Sequence, residues 1–256
     1  MGLWAIWGFL CWGQYLAPSL AGLSGVQAPL QNEPLSANAA TAFPADRWCA
    51  QAGTALYLPA PELAFRLAGL SYRWDTFQMT SLLLQEWRFD KLSQVETGLA
   101  YALRLLQGRV TIATRGRLLF TSFSEYGRLL RFTPDLGLIL QPSPRLRIGG
   151  YGYNLLGRGW GLLPGPVQYG LGVAYGPSSL AEAYLELTQE GAYPLQVHSG
   201  FSYQMHPLLR LRAGVGWPTL TVGAGLRLSY HRLGLDMAYR YQPSTGSWAA
   251  LGIAFP

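Results

Sequence analysis

Apolar and polar residues alternate with a two-residue period along most of the chain beyond Pro61. In the clearest case, Leu220 to Tyr230, Leu, Val, Ala and Tyr side chains share one face, and Thr, Gly, Arg and Ser share the other. Because successive side chains of a β-strand point to opposite faces, this period predicts strands with one apolar and one polar face. The other predicted strands are Phe65 to Tyr72, Phe77 to Trp87, Val95 to Leu105, Arg109 to Phe120, Phe132 to Leu140, Arg145 to Tyr153, Val167 to Tyr175, Ala181 to Leu187, Leu195 to Tyr203, Leu209 to Trp217, Leu233 to Gln242 and Ala249 to Phe255.

Short turn signals separate these strands, among them Leu106-Gln107-Gly108 and Pro243-Ser244-Thr245-Gly246. Strands joined by such tight turns are antiparallel neighbours. One connection, Leu155 to Pro166, is long enough to be a loop. About 13 strands are counted in this way, and bacterial single-chain barrels have an even number. We therefore expect an all-β, antiparallel transmembrane β-barrel of about 14 strands, with 12 as the alternative.

Composition favours a membrane barrel over a soluble protein. Hydrophobic residues make up 50% of the chain and charged residues 12%, whereas a soluble domain has about 25% charged residues. Beyond the N-terminus, no apolar run approaches the roughly 20 residues of a membrane helix. The alternative is a soluble β-sandwich. The net charge of +6 is almost entirely arginine, since Lys91 is the one lysine; these arginines form no cluster, which argues against nucleic-acid binding.

The N-terminus begins with the apolar run Gly2 to Trp12, which has the length of a signal-peptide core, although no Lys or Arg precedes it. We predict a signal peptide over residues 1–28, cleaved between Ala21 and Ala28; a retained anchor helix is the competing interpretation. Residues 29–61 form an irregular segment, either a periplasmic lead-in or a plug in the barrel mouth, with at most one strand near Gly53 to Leu58. Residues 62–256 form the barrel.

Removal of the signal peptide takes Cys11 with it and leaves Cys49 without a disulfide partner, as a small buried thiol. No small residues precede Cys11 in the manner of a lipoprotein cleavage site, so lipidation is not predicted. At the other end of the chain, the strand Ala249 to Phe255 must pair with the first strand, because an open sheet edge in lipid costs several kcal/mol for each unpaired group.

The polar faces of the strands are expected to line the lumen. Two interpretations of this lining stay open: an arginine–carboxylate network that fills and stiffens a narrow barrel, which we favour, and an interior that attracts or conducts anions. The predicted lumen-lining residues are Glu96, Arg109, Arg115, Arg117, Asp135, Arg145, Arg147, Glu182, Glu186, Arg210, Arg212, Arg227, Asp236 and Arg240.

The sequence offers little for catalysis. A hydrolase needs a nucleophile within hydrogen-bond reach of a histidine. His198 is followed by Ser199, but adjacent strand residues face opposite sides, and His206 and His231 fall at turns. No phosphate-binding glycine loop and no metal-ligand spacing is present, so we predict a non-enzymatic protein with no cofactor and no metal.

Several stretches resemble the PorV/PorQ-like outer-membrane proteins of Bacteroidota, relatives of the FadL-type barrels. RWCAQAGTALYLPAPELAFRLAGLSYRW resembles the family's N-terminal segment, although Ala50-Gln51-Ala52-Gly53 stands in place of Asn-Pro-Ala-Gly. The other stretches are VETGLAYALRL, FTPDLGLILQPSPRLRIGGYGYNLL, YPLQVHSGFSYQM, LLRLRAGVGW and LGLDMAYRYQPSTGSWAALGIAF.

The resemblance implies a location in the outer membrane of a Gram-negative bacterium and a choice of functions. PorV-type members assist type IX protein secretion, so the expected partners are outer-membrane lipid and secretion-system proteins or cargo. The alternative is a FadL-like channel for hydrophobic or small anionic solutes. An open or a blocked lumen is the observation that separates these interpretations most clearly.

Overall fold

A computed structural model describes residues 21, 23–24, 26–30, 36–44, 46–89, 92–123, 127–156 and 166–255 of the chain. The described strands form one closed antiparallel barrel of 14 strands, in which each strand hydrogen-bonds to its neighbours in sequence and β1 pairs with β14. The predicted fold class and strand number are therefore confirmed. Most of the predicted signal peptide, residues 1–20, lies outside the described residues. Within the described residues, no helix is long and apolar enough to cross a bilayer.

The strand bounds follow the alternation closely beyond residue 62. The main difference is the first strand, which begins at Trp48, so the barrel starts inside the segment predicted to be irregular. The strands are β1 Trp48–Tyr57, β2 Ala64–Arg73, β3 Gln78–Phe89, β4 Leu92–Leu105, β5 Val110–Phe123, β6 Gly127–Ser143, β7 Leu146–Tyr153, β8 Gln168–Tyr175, β9 Ala181–Glu190, β10 Gln196–His206, β11 Leu209–Trp217, β12 Thr221–Tyr230, β13 Leu233–Gln242 and β14 Gly246–Phe255.

The barrel closes through a continuous ladder between its first and last strands. The β1–β14 register runs from Ala50 opposite Phe255 to Tyr57 opposite Trp248. The ring of Trp48 stacks on that of Phe255, with 4.6 Å between centroids. In lipid, where an unpaired backbone group has no water to bind, this ladder satisfies both edges of the sheet.

An even number of strands puts both ends of the barrel wall on one side. We call this side the terminus end; it contains Trp48 and Phe255. The opposite side, the loop end, contains the longest connection, between Tyr153 and Gln168. Because outer-membrane barrels have short periplasmic turns and longer extracellular loops, the loop end is the extracellular one.

The outer surface of the barrel is an apolar band. Leu99, Leu171 and Ile253 point outward and are 64%, 58% and 59% exposed. Side chains at alternate positions point inward and are buried, as the two-residue period requires. A surface that exposes leucine on nearly every strand is stable in lipid and not in water, which agrees with the predicted outer-membrane location.

Candidate functional site: the lumen

The described part of residues 21–44, here called the lumen segment, lies inside the barrel. Val26, Ala28 and Ala39 are completely buried within it. Ala21 packs in a cluster with Phe65 and Trp248, near the loop end. From there the lumen segment extends toward the terminus end as far as a short 3-10 helix, Ala39–Ala42. This helix packs against β4, β5 and β6. The lumen segment includes residues 21–28, which the sequence predicts as the end of the signal peptide, and the first part of the segment predicted to be irregular; the boundary between the two stays a prediction.

Inward-facing glycines form the wall against which the lumen segment lies. A Cβ atom added to Gly149 would fall closer than 3.0 Å to the carbonyl oxygen of Ala28, a separation that real Cβ atoms essentially never show. Gly137 and Gly214 leave the same room, for Asn38 and Leu23. The backbone of the lumen segment therefore touches the backbone of the wall, an approach that glycine permits and larger residues prevent.

The carboxyl group of Glu186 on β9 is the main polar anchor of the lumen segment. Its Oε2 atom accepts hydrogen bonds from the backbone N–H groups of Gln27 and Ala28, at 2.6 and 2.7 Å. Its Oε1 atom accepts one from the hydroxyl of Tyr151 at 3.2 Å. Glu186 is completely buried, so these donors replace the water that the carboxyl loses on folding.

Asn38 and Arg115 hold the second half of the lumen segment. The Asn38 amide donates to the carbonyls of Ala28 at 2.7 Å and Leu138 at 3.2 Å, and its Oδ1 atom accepts from the N–H of Ala40 at 3.0 Å. It thereby caps the short helix and ties it to the wall. Arg115 on β5 donates to the carbonyl of Ser36 at 2.9 Å.

Arg117 is the centre of a buried ion-pair network in the wall. Its Nε and Nη2 atoms donate to the two oxygens of Asp135, at 2.6 and 2.9 Å. Its Nη1 atom donates to Glu96 at 3.0 Å and to the hydroxyl of Tyr153 at 2.5 Å. All four groups come from the neighbouring strands β4 to β7. The fork of a guanidinium matches a carboxylate with two parallel bonds, and this network stiffens one side of the lumen.

Two smaller ion-pair groups complete the polar lining. Arg212 donates to Asp236 at 2.8 Å, and Arg227 lies 3.8 Å from the other oxygen of Asp236. Nearer the terminus end, Arg147 pairs with Glu182 and also donates to the carbonyl of Pro29 at 3.1 Å. The wall and the lumen segment therefore share one polar network.

The remaining predicted lumen residues lie in different places. Arg240 is buried on β13, whereas Arg210 is half-buried and donates to Gln204 at 2.8 Å. Arg109 and Arg145 differ from the prediction, because each immediately precedes its strand and is exposed in a turn at the terminus end. Arg145 there lines a polar pocket of about 220 Å³ with Arg147, Glu182 and Arg210.

Five aromatic residues line one side of the lumen at its loop end. Phe65, Trp87 and Trp248 are inward-facing and only 2–4% exposed, and Tyr57 and Phe123 pack against them. We call these five residues the aromatic cluster. The ring of Trp248 lies 5.6 Å from that of Phe65 and 5.0 Å from that of Tyr57. Among the described residues, the indole N–H groups of Trp87 and Trp248 have no acceptor.

At the loop end, the ladder between β6 and β7 ends earlier than the ladder between β5 and β6. β6 pairs with β5 from Gly127 to Leu140, but its pairing with β7 begins only at Leu136. Beyond β7 the chain stays close, since the N–H of Leu155 donates to the carbonyl of Pro134 at 3.0 Å. Residues 127–135 of β6 thus have a strand neighbour on one edge only.

The described residues contain no group of three or more His, Cys, Asp and Glu side chains arranged for a metal ion. His198 is inward-facing and 3% exposed, and its neighbour in sequence, Ser199, points to the opposite face.

The sequence predicted the inward arginines and carboxylates but not that the lumen segment is their partner. The sequence feature that indicates the lumen segment is the set of inward glycines at 137, 149 and 214. They leave room for another stretch of backbone on a face that otherwise carries large side chains.

The barrel is similar to solved outer-membrane channels. The Pseudomonas putida toluene transporter TodX superposes with a TM-score of 0.70 at 11% identity, covering 93% of this chain and 96% of that one. The CymD monoaromatic hydrocarbon channel gives 0.70 at 11% identity, covering 94% and 96%. A Pseudomonas aeruginosa FadL homologue gives 0.66 at 11% identity, covering 95% and 97%.

No protein-family model and no curated protein matches the sequence. The structural similarity extends over nearly the whole of each chain, so the fold is that of Gram-negative outer-membrane barrels. A FadL homologue is among these structural neighbours, whereas no family model supports the PorV/PorQ assignment.

Proposed function

We propose that the protein is a FadL-like channel that admits hydrophobic solutes through the outer membrane. The observation that carries the proposal is the aromatic cluster, which points into the lumen at the extracellular end. The lumen of a general porin is polar and filled with water. Buried aromatic side chains at the entrance instead favour a solute that leaves water for an apolar surface.

The aromatic cluster also suggests what else the solute carries. Trp87 and Trp248 present indole N–H donors without an acceptor in the described chain. A buried donor is stabilised when a ligand supplies an oxygen. The solute class that fits is therefore an aromatic or aliphatic compound with one acceptor group, such as a hydroxyl, carbonyl or carboxyl oxygen.

Passage below the aromatic cluster requires the lumen segment to move. Its backbone lies directly on the wall at Gly149 and is tied to Glu186 through Gln27 and Ala28. The solute thus meets a closed lumen and not an open pore. The lumen segment lies in the path of small hydrophilic molecules, so the proposal predicts low permeability to them.

The structural neighbours point the same way. TodX is described as a toluene transporter and CymD as a monoaromatic hydrocarbon channel. The predicted role in type IX secretion has no counterpart among these neighbours and stays a prediction. Co-purification from the native membrane tests it: a secretion protein or cargo retained in detergent would favour that role over transport.

Uptake by whole cells tests the channel proposal. The full chain is expressed in a Gram-negative host without its own hydrophobic-solute channel, and accumulation of a radiolabelled aromatic alcohol is measured. We expect faster accumulation with the protein than without it. The double variant Trp87→Ala/Trp248→Ala should lose most of the gain, whereas Trp217→Ala, which removes an outward tryptophan that is 67% exposed, should keep it.

Liposome swelling in a small sugar provides the opposite test. The channel proposal expects slow swelling, since the lumen segment blocks water. Rapid swelling together with unchanged accumulation of the aromatic alcohol would overturn the proposal in favour of a general porin.

A further inference from the structure

Three charged side chains face outward from the barrel near its loop end. Arg66 on β2 lies 3.1 Å from Glu86 on β3, and Arg88 lies 3.0 Å from the other oxygen of the same carboxylate. The arginine side chains are 69% and 67% exposed. We call these residues the outer charge cluster, which carries one more positive than negative charge.

The position of the outer charge cluster marks the edge of the hydrocarbon layer. Arginine on the lipid-facing side of a barrel costs roughly 2–4 kcal/mol at the bilayer midplane and close to nothing at the interface. Arg66 is the third residue of β2 and Arg88 the second-last of β3, both next to the loop end. The guanidinium groups therefore lie at the level of the headgroups of the outer leaflet.

An apolar groove of about 430 Å³ begins below the outer charge cluster and extends to the terminus end of the barrel, where Leu233 and Phe255 line it. Ala68 and Leu84, at its upper edge, are the next outward positions after Arg66 and Glu86 on the same strands. The short side chains of Ala50 and Ala52 on β1 form the floor of the groove. The longer side chains of Leu70, Leu82 and Ile253 form its sides.

The outer charge cluster and the groove match the two halves of one kind of molecule. We propose that this face of the barrel binds a phosphate-bearing, multiply acylated lipid of the outer leaflet, a lipid of the lipid A type. The phosphate contacts the guanidinium groups of Arg66 and Arg88, and an acyl chain lies in the groove over Ala50, Ala52 and Ala68.

Charge and geometry both favour this occupant. Each arginine uses one terminal nitrogen on Glu86 and keeps further N–H donors that point outward. Guanidinium groups bind phosphate with two parallel hydrogen bonds. Along the register row of Glu86, the next outward side chains are Val95 and Phe120. Along the row of Arg88, Ser93 and Ser122 separate it from the next outward arginine, Arg128 on β6. A lipid without an anionic headgroup would leave these donors to water.

Native mass spectrometry of the full chain in detergent tests the proposal, with diphosphorylated lipid A as the probe. We expect a one-to-one adduct with the wild type. Each arginine near an anionic surface contributes about a fivefold gain in binding. The double variant Arg66→Gln/Arg88→Gln should therefore bind roughly 25-fold less. Arg66→Lys/Arg88→Lys keeps the charge but loses the paired hydrogen bonds, so its binding should lie between that of the wild type and that of the glutamine variant. The matched control is Arg128→Gln, which removes another exposed arginine, at the start of β6.

The groove is tested separately by filling it. Ala52→Leu should weaken the adduct, and Ala249→Leu, on the neighbouring strand but outside the groove, should not. Equal binding by Arg66→Gln/Arg88→Gln and Arg128→Gln would overturn the proposal. Equal retention of dephosphorylated lipid A or of phosphatidylglycerol would overturn it too, as would a homodimer that Ala52→Leu dissociates.

Discussion

Gly149→Ala is the substitution that most directly probes how the lumen segment is held. The new methyl group would occupy the position of the Ala28 carbonyl oxygen. Both groups cannot remain there, because β7 is fixed by ladders to β6 and β8. The lumen segment is not part of any ladder, so it is the part that must retreat, by more than an ångström.

The retreat breaks the anchor at Glu186. The two bonds from Gln27 and Ala28 are 2.6 and 2.7 Å long, and a shift of this size takes both beyond 3.5 Å. Each such bond stabilises by about 1 kcal/mol net, and overpacking costs about 1–3 kcal/mol more. The total is about 3–5 kcal/mol, which corresponds to a population of the displaced lumen segment at least about 100-fold larger.

Hydrogen–deuterium exchange of the peptide that contains residues 26–30 measures this population. In Gly149→Ala we expect its amides to exchange at least about 100-fold faster, while amides of β4 and β5 keep their protection. Gly150→Ala is the matched control, because an added Cβ there meets no atom closer than 3.7 Å. Equal exchange in the two variants would refute the claim that the wall glycines hold the lumen segment in place.

Three further predictions concern the lumen and the closure of the barrel. Arg117→Leu leaves Asp135 and Glu96 buried without their partner and should lower the free energy of unfolding by about 3–5 kcal/mol. Urea titration in detergent micelles measures this free energy. A loss no larger than that of Arg128→Leu would contradict the prediction. Asn38→Ala removes three hydrogen bonds and should speed exchange of residues 39–42, with Asn38→Asp recovering only the bond from Ala40. Deletion of Ala249–Phe255 removes most of the ladder to β1 and should abolish the heat-modifiable folded band in gel electrophoresis; a folded band would show that the barrel closes without this strand.

The strands beyond residue 62 were predictable because each has a strong contrast between its two faces. In β12, Val222 and Leu228 point outward, and Thr221 and Gly223 point inward. Lipid on one side and a polar lumen on the other select such contrast at every second position. The same contrast identified Arg117, Asp135 and Glu186 as inward residues.

The first strand was not predictable in full because its contrast is weak. Its inward residues include Cys49, Gly53 and Ala55, and its outward residues include Ala50 and Ala52. Because both faces of β1 carry small side chains, its sequence shows no clear alternation of apolar and polar residues. The same small side chains are what make room for the outer groove and for the aromatic cluster, so the weak pattern reflects packing against large neighbours.

The position of the lumen segment could not be read from periodicity, because its polar groups are satisfied by distant residues. Gln27 bonds to a carboxyl 159 positions away, and Asn38 to a carbonyl 100 positions away. Arg109 and Arg145 show the opposite error, because alternation predicted them as strand residues although they lie in turns. Each extends the alternation of the following strand by one residue toward the N-terminus, but the strand begins only after it.

The order of the chain has a consequence for assembly. The lumen segment precedes β1, and β14, which closes the wall, comes last. The wall therefore closes around a segment that precedes it in the chain. Loss of the lumen segment would leave Glu186, Arg115 and the wall glycines at 137, 149 and 214 facing an unfilled interior, so errors in barrel closure would be expected.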